Sequence, residues 1–363
     1  MVKIKNIGST KFKEYIKNKK VIVFGAGRSF ESCVEIYFLD KDIEIVVDNN
    51  PSLWGHYFSL GSKSFRIISV EDLIKKVQQL DDYVCFISSV FYAAEIIDQL
   101  DKIPELDGLE CFLELFIRNT REPIKEYSFS KGQRKIPRKL HYVWLGKKEL
   151  PTEFKENIET WKHFNPNFEI IRWDENNLTF SDCDYLREAY ECKAWGFASN
   201  YIRLKVIYEN GGIYLDTDVE AISSFDKLLN DEAFFNMGCA NRINNGCGFG
   251  AVPGNEVIGE MLSYYDSIHY VDSNGKQKKQ QAHTILNKIL RKNGFQIINQ
   301  YSKNENGVVI YPSEVMSPLT ISGFPDMFSE KTVSIHKEHG SWKSVIEKEG
   351  LKKTLLLIRR IIE

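Results

Sequence analysis

Alternating apolar and polar stretches in the first third of the chain predict a strand–helix–strand unit. A short apolar strand enters a glycine turn within residues 19–30, and a helical pattern follows through Cys33, Ile36, Tyr37 and Leu39. A second apolar strand then ends at Asp48. Ile67, Ile68 and Val70 lead to a helical pattern over 71–80, and residues 84–90 have the apolar run of a buried strand. This order of elements predicts an α/β fold with a doubly wound parallel sheet.

The second part of the chain begins with the same alternation. Residues 139–146 predict a strand, residues 154–164 a helix, and residues 168–177 a strand that runs into an acidic, asparagine-rich turn. A longer helical pattern over 194–212 leads directly into an apolar strand at 213–215. We therefore expect a second α/β domain.

Length and composition are those of a soluble globular protein with two domains of ordinary size. The chain has 363 residues, of which 43% are hydrophobic and 27% are charged. A net charge of -2 gives no reason to expect nucleic acid as a partner, since that would require a strongly basic surface. The N-terminus has no signal-peptide core and no segment reaches the roughly 20 apolar residues of a membrane span. These features predict a cytoplasmic protein.

The cysteine pattern supports the same compartment. The seven cysteines are scattered and form no Cys-x-x-Cys pair: Cys33, Cys85, Cys111, Cys183, Cys192, Cys239 and Cys247. Their odd number and spacing indicate reduced thiols and argue against a zinc site.

Composition also predicts the domain limits. The polar, proline-bounded segment 121–137 has the character of a linker, so we expect an accessory domain at 1–125 and a second domain at 126–363. The latter would end in a basic amphipathic helix at about 343–363. That helix would either dock on its own domain or lie on an anionic membrane surface.

The glycine turn of the first domain is an incomplete dinucleotide fingerprint. Gly25 and Gly27 are present, but Phe30 stands where a third glycine usually allows close helix packing. Asp48 follows about twenty residues later, as an acidic residue that binds ribose would. We expect a role in docking or regulation, with nucleotide binding at this turn as the alternative.

The stretch from Gly211 to Glu220 carries the clearest candidate chemistry. Asp216 and Asp218 follow an apolar strand, and side chains two apart in a strand project on the same side. Two neighbouring carboxylates repel each other unless a positive group lies between them. A divalent cation that prefers oxygen ligands would satisfy both. A pair of solvated aspartates in a turn is the alternative.

The helix before this strand adds a second polar group. Ala198, Ile202 and Val206 form one predicted buried stripe, and Gly211 ends the helix. Asn200 and Arg203 are three residues apart and therefore share a face. A guanidinium next to the two aspartates would suit a diphosphate, although an ordinary surface arginine fits the same pattern.

These residues carry a resemblance to a known family. Residues 198–220, ASNYIRLKVIYENGGIYLDTDVE, resemble the signature of the retaining glycosyltransferases of family 32, the sugar-binding-region group with a DxD motif. That group includes capsule and polysaccharide enzymes and is related to the glucosylating domains of large clostridial toxins. The segments 136–146, 165–175, 244–262 and 333–342 are similar to further family segments in the same order.

The resemblance implies a GT-A nucleotide-sugar-binding domain and a particular reaction. It implies a retaining, Mn2+- or Mg2+-dependent transfer of a hexose or N-acetylhexosamine from a UDP-sugar to an oligosaccharide acceptor, which includes lipid-linked acceptors. Such an enzyme would serve bacterial capsule, exopolysaccharide or lipopolysaccharide synthesis, with peripheral contact with the inner membrane surface as an option. Residues 1–125 resemble the small Rossmann-like domains that precede catalytic domains in bacterial sugar-modifying enzymes, through the segments 23–27, 47–55 and 68–76.

The resemblance also assigns roles in nucleotide binding. Trp144 would stack on the base, and the backbone of Val143, Leu145 and Gly146 would contact the base edge. Trp144 at a strand end also fits an ordinary core position.

At the diphosphate and the sugar, Arg203 would contact the donor's phosphates or sugar, and Asn245 the donor sugar or the acceptor. Asp216 would contact ribose and reach the metal through water, while Asp218 would bind it directly. Tyr214 belongs to the same nucleotide-sugar site.

The segment 333–342 resembles the family's closing loop. Here His336 would complete the metal site, and Ser341 with Trp342 would close over the diphosphate. Glu338 and His339 are alternative metal ligands in this loop.

The chain departs from the family at one position. The family helix usually reads Ala-Ser-Asp, and the third residue here is Asn200. An amide keeps a hydrogen-bond acceptor, adds two donors and loses the charge. We expect altered donor choice or weaker turnover.

Two other classes of function fit parts of the pattern. A phosphohydrolase motif also consists of an apolar strand that ends in Asp-x-Asp, but it requires a hydroxyl residue two positions after the second aspartate, where this chain has Glu220. A non-catalytic protein that binds nucleotide sugars is the second alternative, which Asn200 makes more credible.

Overall fold

The computed structural model describes residues 1–27, 30–37, 39–60, 63–77, 79–120, 122–238, 242–278, 280–320, 324, 326–337 and 345–362. Contacts divide the chain into two compact units. The first comprises 1–122, 320–325 and 340–363, and the second comprises 123–319 and 326–339.

The strands are, in chain order, β1 (Lys3–Lys5), β2 (Lys20–Phe24), β3 (Ile43–Val47), β4 (Tyr57–Leu60), β5 (Lys63–Ile68), β6 (Tyr83–Ile87), β7 (Glu110–Leu113), β8 (Lys139–Val143), β9 (Glu169–Trp173), β10 (Gly212–Tyr214), β11 (Val219–Ala221), β12 (Ala233–Asn236), β13 (Phe249–Ala251), β14 (Ser302–Lys303), β15 (Val308–Tyr311), β16 (Ser334–His336) and β17 (Ile361–Ile362). The helices are α1 (Ser9–Tyr15), α2 (Phe30–Tyr37), α3 (Val70–Lys76), α4 (Ala93–Leu100), α5 (Glu114–Asn119), α6 (Thr152–Phe164), α7 (Asp184–Glu191), α8 (Trp195–Asn210), α9 (Glu256–Asp266), α10 (Ala282–Lys292) and α11 (Val345–Leu356).

The first unit is built on one sheet with the strand order β17-β1-β7-β6-β2-β3-β5-β4. Its neighbouring strands are parallel except for the antiparallel pair β4 and β5. Alternate residues of β2 enter two different cores, with Ile22 and Phe24 in one and Val21 and Val23 in the other. Because side chains of a strand alternate between faces, both faces of this sheet are buried. The predicted parallel α/β sheet is confirmed.

The C-terminal segment lies in this first unit, not in the second as the sequence predicts. β17 extends the sheet by pairing parallel to β1, with Ile361 opposite Ile4. Leu357 is buried, and Leu351, Leu355 and Ile358 pack against the same core. The periodicity of the segment correctly indicates a docked helix, but an apolar stripe does not specify which domain it covers.

The apolar side chains of this segment, which would have to contact lipid if it lay on a membrane, pack instead on the core of the first unit. Lys353 and Arg360 form ion pairs with Glu95 (3.0 Å) and Asp101 (2.7 Å) of the same unit. Leu356 remains 69% exposed. In the described part of the chain, no helix combines the length and the apolar character needed to cross a bilayer.

The second unit has a mixed sheet with the strand order β14-β15-β12-β13-β10-β8-β9. The strands β10, β8 and β9 are mutually parallel, and β13 joins β10 in the antiparallel sense. A separate two-stranded antiparallel sheet consists of β11 and β16. Helix α8 packs in the core, and the predicted stripe Ala198, Ile202 and Val206 is at most 1% exposed.

The predicted linker is instead packed onto the second unit from residue 123 onward. Tyr127 is buried, its hydroxyl donates to Glu314 Oε1 (2.8 Å), and its ring stacks on Tyr301. Ile136 is fully buried, and its backbone N–H donates to Leu229 O. The sequence analysis did not identify Tyr127 and Ile136 as buried residues, because most of 121–137 is polar.

Two glycines connect α8 to β10, as the sequence predicts. Gly211 has φ +61° and Gly212 has φ +104°, conformations that favour glycine. A Cβ on Gly212 would meet Lys139 O at 2.7 Å and His141 Nε2 at 2.9 Å, so a side chain cannot fit beside β8. The strand after them ends one residue earlier than predicted, at Tyr214.

Candidate active site

The segment with Trp144 and the segment with Asp216 and Asp218 leave the second sheet at one edge. β8 lies between β10 and β9, and the three strands run parallel, with Tyr214 opposite His141 and Val143 opposite Trp173. Their carboxyl ends therefore meet at the same edge, where ligands of open α/β sheets usually bind. The segments 144–146, 174–176 and 215–218 all begin there.

Asp216 and Asp218 are brought together by a turn rather than by strand alternation. The backbone N–H of Val219 donates to Asp216 O (3.1 Å), and the N–H of Asp216 donates to Gly246 O (2.9 Å). Gly246 lies directly against the Asp216 carboxylate, and a Cβ there would collide with Asp216 Oδ2. The turn therefore fixes the first carboxylate against the segment 244–246.

His336 joins the two aspartates through the small sheet. It lies opposite Val219 in the pairing of β11 with β16, and its Nε2 is 3.2 Å from Asp218 Oδ1. One ligand atom from each of Asp216, Asp218 and His336 lies within 4.8 Å of the others. Two carboxylates and an imidazole at this spacing form a donor set that fits a divalent cation such as Mn2+ or Mg2+.

Asn244 holds both the histidine and the turn. Its Nδ2 is 3.1 Å from His336 Nδ1, and its Oδ1 accepts the backbone N–H of Gly246 (3.0 Å). One amide thus connects the ring of His336 to the backbone beside Asp216. Partners of this kind orient metal ligands.

Arg203 is a buried cation bound on several sides. Its Nη2 lies 3.1 Å from Asp216 Oδ1, and its Nη1 donates to Asn245 Oδ1 (3.1 Å). Ser199 accepts from the same guanidinium through its carbonyl (3.2 Å) and its hydroxyl (3.0 Å). Burial acts to lower the pKa of Arg203, but the Asp216 carboxylate and the neighbouring Tyr214 raise it above its ordinary value. The arginine therefore carries a fixed positive charge at the site.

Tyr214 completes the surroundings of Asp216. Its hydroxyl donates to Asp216 Oδ1 (2.8 Å), and its ring lies 4.8 Å below the Arg203 guanidinium. Burial raises the pKa of Tyr214 well above its ordinary value, so the phenol stays protonated and acts as a donor. Oδ1 of Asp216 thus has two protein partners, Arg203 and Tyr214.

Two amides flank the arginine. Asn200 is half-exposed on α8, one turn before Arg203. Asn245 is 4% exposed, and its Nδ2 has no hydrogen-bond partner within the described chain. A buried N–H group without a partner is costly, so a ligand that accepts from Asn245 would be favoured here.

The segment 143–146 leaves β8 with its side chains divided between core and surface. Leu145 is buried, and Val143 packs against the same cluster. Trp144 is half-buried, its Nε1 donates to Lys148 O (2.7 Å), and its ring meets Phe154 edge to face. The core and stacking interpretations of Trp144 thus each have partial support in its burial, and its base-stacking role stays a prediction.

Gly146 is held by a residue that the sequence analysis missed. Its N–H donates to Glu175 Oε1 (2.7 Å), which also lies 3.4 Å from the Tyr190 hydroxyl. A Cβ on Gly146 would meet the Trp195 ring at 2.9 Å. A ligand at this point would meet the Glu175 carboxylate rather than an open N–H. The acidic turn after β9 was visible in the sequence, but nothing in it linked Glu175 to Gly146.

The remaining predicted residues cannot be described. Ser341, Trp342, Glu338 and His339 lie outside the residues that the structure describes, so their predicted roles stay predictions.

Comparisons with known proteins agree with the chemistry of this edge. Residues 151–235 match the model of the family described as "Glycosyltransferase sugar-binding region containing DXD motif". The chain is 28% identical over 121 residues to inositol phosphoceramide mannosyltransferase 3 of Schizosaccharomyces pombe. The aligned segment covers 32% of this chain and 34% of that protein. The chain therefore spans about a third of that relative's length.

Two further similarities are weaker or broader. An uncharacterized glycosyltransferase, L373, of Acanthamoeba polyphaga mimivirus is 23% identical over 195 residues, which cover 51% of this chain and 74% of the viral protein. The solved structure of PaToxG glycosyltransferase has 15% sequence identity and a TM-score of 0.37, over 44% of this chain and 70% of that one. The residues that match the sugar-binding-region family model, 151–235, include Arg203, Asp216 and Asp218.

Proposed function

We propose that the second unit is a GT-A domain that transfers a hexose or N-acetylhexosamine from a UDP-sugar to a saccharide acceptor, with a divalent cation and with retention of configuration. The first unit would be a Rossmann-like accessory domain. The observation that carries this proposal is the convergence of Asp216, Asp218 and His336 next to the buried Arg203. Bacterial capsule, exopolysaccharide or lipopolysaccharide synthesis would be the pathway, and lipid-linked oligosaccharides belong in the acceptor panel.

Asp216, Asp218 and His336 would hold the cation. Carboxylates suit Mn2+ and Mg2+ equally, and the imidazole favours Mn2+, since Mg2+ is usually held by oxygen ligands alone. When bound, the cation would neutralise charge on the departing diphosphate.

Arg203 and Asn245 would bind the donor beside that cation. The guanidinium is held in place by Ser199, Asn245 and Asp216, so it need not reorganise when it meets a phosphate. The free Nδ2 of Asn245 would donate to a phosphate or sugar oxygen. Asn200, one turn away on α8, would face the sugar hydroxyls with an amide instead of a carboxylate.

Retention would follow from substitution on one face of the sugar. The bond from the anomeric carbon to the phosphate oxygen breaks, the bond to the acceptor oxygen forms on the same side, and the departing phosphate oxygen takes the acceptor's proton. The carboxylate in contact with Arg203 is Asp216, whose Oδ1 is already bound by Tyr214 and Arg203. That environment favours a positioning role over attack on the sugar. A glycosyl adduct trapped on Asp216 or Asn200 and found by mass spectrometry would contradict this route.

A donor panel tests the proposal. Purified protein is incubated with UDP- and GDP-sugars and Mn2+, and nucleotide release is followed with and without a chelator. Release from at least one donor, abolished by the chelator, is the expected result. No release from any donor, together with no binding of Mn2+ or UDP, would contradict it.

A further inference from the structure

One face of helix α6 makes hydrogen bonds to the backbone that follows Asp216. Asn157 Nδ2 donates to Thr217 O (2.9 Å), Trp161 Nε1 donates to Val219 O (2.8 Å), and Thr160 Oγ1 accepts from Ala221 N (2.9 Å). Residues three and four apart share a helix face, so all three side chains reach the same segment. The other edge of β11 pairs with β16. The helix therefore satisfies the backbone edge that β16 leaves open.

Asn157 also makes a second hydrogen bond, which reaches the residue that follows His336. Its Oδ1 accepts from Lys337 Nζ (3.0 Å), which also lies 3.1 Å from Glu220 Oε2. The backbone N–H of Lys337 donates to Asp218 O (3.0 Å). Lysine can only donate and Thr217 O can only accept, so the two partners determine which end of the amide faces which.

The position of this amide relates it to the metal ligands. Thr217 is the residue between Asp216 and Asp218, and Lys337 directly follows His336. Asn157 is 1% exposed, so its amide makes both bonds from a buried position. A two-stranded sheet with strands of three residues is marginal by itself. Contacts outside the strand pairing therefore help to fix the distance between the turn and the histidine; Asn244 makes one set of them and Asn157 another.

We propose that Asn157 and Lys337 are positioning residues that hold Asp216, Asp218 and His336 at the spacing a divalent cation requires. This inference rests on the proposed metal-dependent function. Groups that orient metal ligands typically change metal affinity by about 10–100-fold when they are replaced. The Asn157 side chain is suited to this role because its amide donates to Thr217 O at one end and accepts from Lys337 at the other.

Asn157→Asp is the sharpest variant. Its carboxylate keeps an acceptor for Lys337, but it sets an oxygen against Thr217 O, where the amide donated. The matched control is Asn165→Asp, at the buried asparagine that caps the C-terminus of the same helix. Asn165 is 2% exposed, donates to Trp161 O (3.2 Å) and accepts from Phe225 N (2.8 Å), away from the aspartate turn.

Lys337 supplies variants that do not depend on a buried substitution. Its side chain is 29% exposed, so Lys337→Met and Lys337→Arg should fold. The arginine keeps a donor for Asn157 and Glu220, and the methionine removes it.

The experiment measures Mn2+ binding to the protein without nucleotide, from the electron paramagnetic resonance signal of free Mn2+, and urea unfolding in the presence of a chelator. Asn157→Asp should weaken Mn2+ binding about 10–100-fold. Lys337→Met should weaken it several-fold, and Lys337→Arg should restore most of it. Asn165→Asp should lose stability but keep the wild-type Mn2+ affinity within about twofold.

Unchanged Mn2+ affinity in Asn157→Asp would overturn the proposal, and so would equal losses in Asn157→Asp and Asn165→Asp that follow stability. If Asn157→Asp does not fold, wild-type affinity in Lys337→Met overturns it. Failure of the wild-type protein to bind Mn2+ contradicts the metal-dependent function itself, which distinguishes the two failures.

Discussion

The two units each carry aspartates after a parallel strand, but the surroundings of these carboxylates differ. In the first unit Asp48 follows β3, and its two oxygens accept the backbone N–H groups of Ala26 (2.7 Å) and Asn50 (2.7 Å). In the second unit Asp216 and Asp218 converge with His336 within 4.8 Å. The Asp48 carboxylate is thus bound by backbone N–H groups of neighbouring turns, whereas Asp216 and Asp218 each place a carboxylate oxygen close to an imidazole nitrogen of His336.

The difference shows that an acidic residue at a strand end is not by itself a binding site. Backbone N–H groups stabilise the charge of Asp48, and a phosphate at the glycine turn would compete with that carboxylate for Ala26 N–H. In the second unit the positive partner of the pair is Arg203, which contacts Asp216. The remaining repulsion near Asp218 is what a cation would relieve.

The largest effect should come from replacing the equivalent carboxylates in the two units. We expect Asp218→Ala to abolish chelator-sensitive nucleotide release, by more than about 100-fold, because several kcal/mol of charge stabilisation would be lost. Asp48→Ala should leave release unchanged but lower the free energy of unfolding by about 0.5–1.5 kcal/mol, since the half-buried Ala26 and the exposed Asn50 each lose the acceptor of a backbone N–H. Donor assays and urea unfolding of both variants provide the measurements. Equal effects of the two variants on release would break the comparison.

A second variant tests the role of Arg203, the cation that contacts Asp216. Arg203→Lys keeps a positive charge but cannot bind Ser199, Asn245 and Asp216 together, as the guanidinium does. We expect nucleotide release to fall about 10–100-fold, mainly in kcat, with Mn2+ affinity unchanged. Steady-state kinetics and Mn2+ titration measure the two quantities. A loss of Mn2+ affinity as large as the loss of kcat would assign Arg203 to the metal ligands' geometry instead.

Asn200→Asp adds a third carboxylate to the side of the site that Arg203 occupies. If the site acts on sugar hydroxyls there, we expect a changed donor preference or a roughly several-fold increase in turnover, because a carboxylate accepts stronger hydrogen bonds than an amide. The donor panel is repeated with this variant. UDP binding with Mn2+ but no release, in both forms, would favour a non-catalytic nucleotide-sugar-binding protein.

A smaller effect concerns the strand that supports the active edge. His141 is fully buried on β8, where it accepts from Trp173 Nε1 (2.9 Å) and contacts Gly211 O (2.9 Å). Burial lowers the pKa of His141 to about 4. The unfolded chain, with a pKa near 6.5, binds the proton first, so stability is complete above pH 6.5 and falls as the pH drops toward 4.

The full change corresponds to roughly 3 kcal/mol at about 1.4 kcal/mol per pKa unit. Urea unfolding of wild type and His141→Gln at several pH values measures it. The slope between pH 4 and 6.5 should be shallower in the variant, and an identical slope would show that His141 does not titrate in this range.

The sequence allowed the regular parts of both units to be predicted where one period dominates. β2, β3, α6 and α8 lie close to their predicted positions, because each has a clear apolar pattern, and β2, α6 and α8 also have a glycine or proline at one end. The aspartate pair was found, but the reason given for its geometry was wrong. β10 stops at Tyr214, and a turn together with the β11–β16 pairing brings the ligands together.

Contacts between residues distant in sequence could not be read from the pattern. The C-terminal segment was assigned to the wrong unit, because an apolar stripe shows that a helix packs on a core but not which core it packs on. Glu175 and Lys337 gave no signal beyond their charge. Asn157 did give one, since it lies four residues before the buried Trp161 on the apolar face of α6, where a polar side chain needs a partner.

The most direct test of the central claim is a crystal structure of the protein with Mn2+ and UDP, with anomalous differences recorded at the manganese edge. The account predicts one strong peak bounded by Asp218, His336 and Asp216, with the diphosphate between that peak and Arg203. A peak at another place, or an ordered diphosphate with no peak at these three residues, would contradict it.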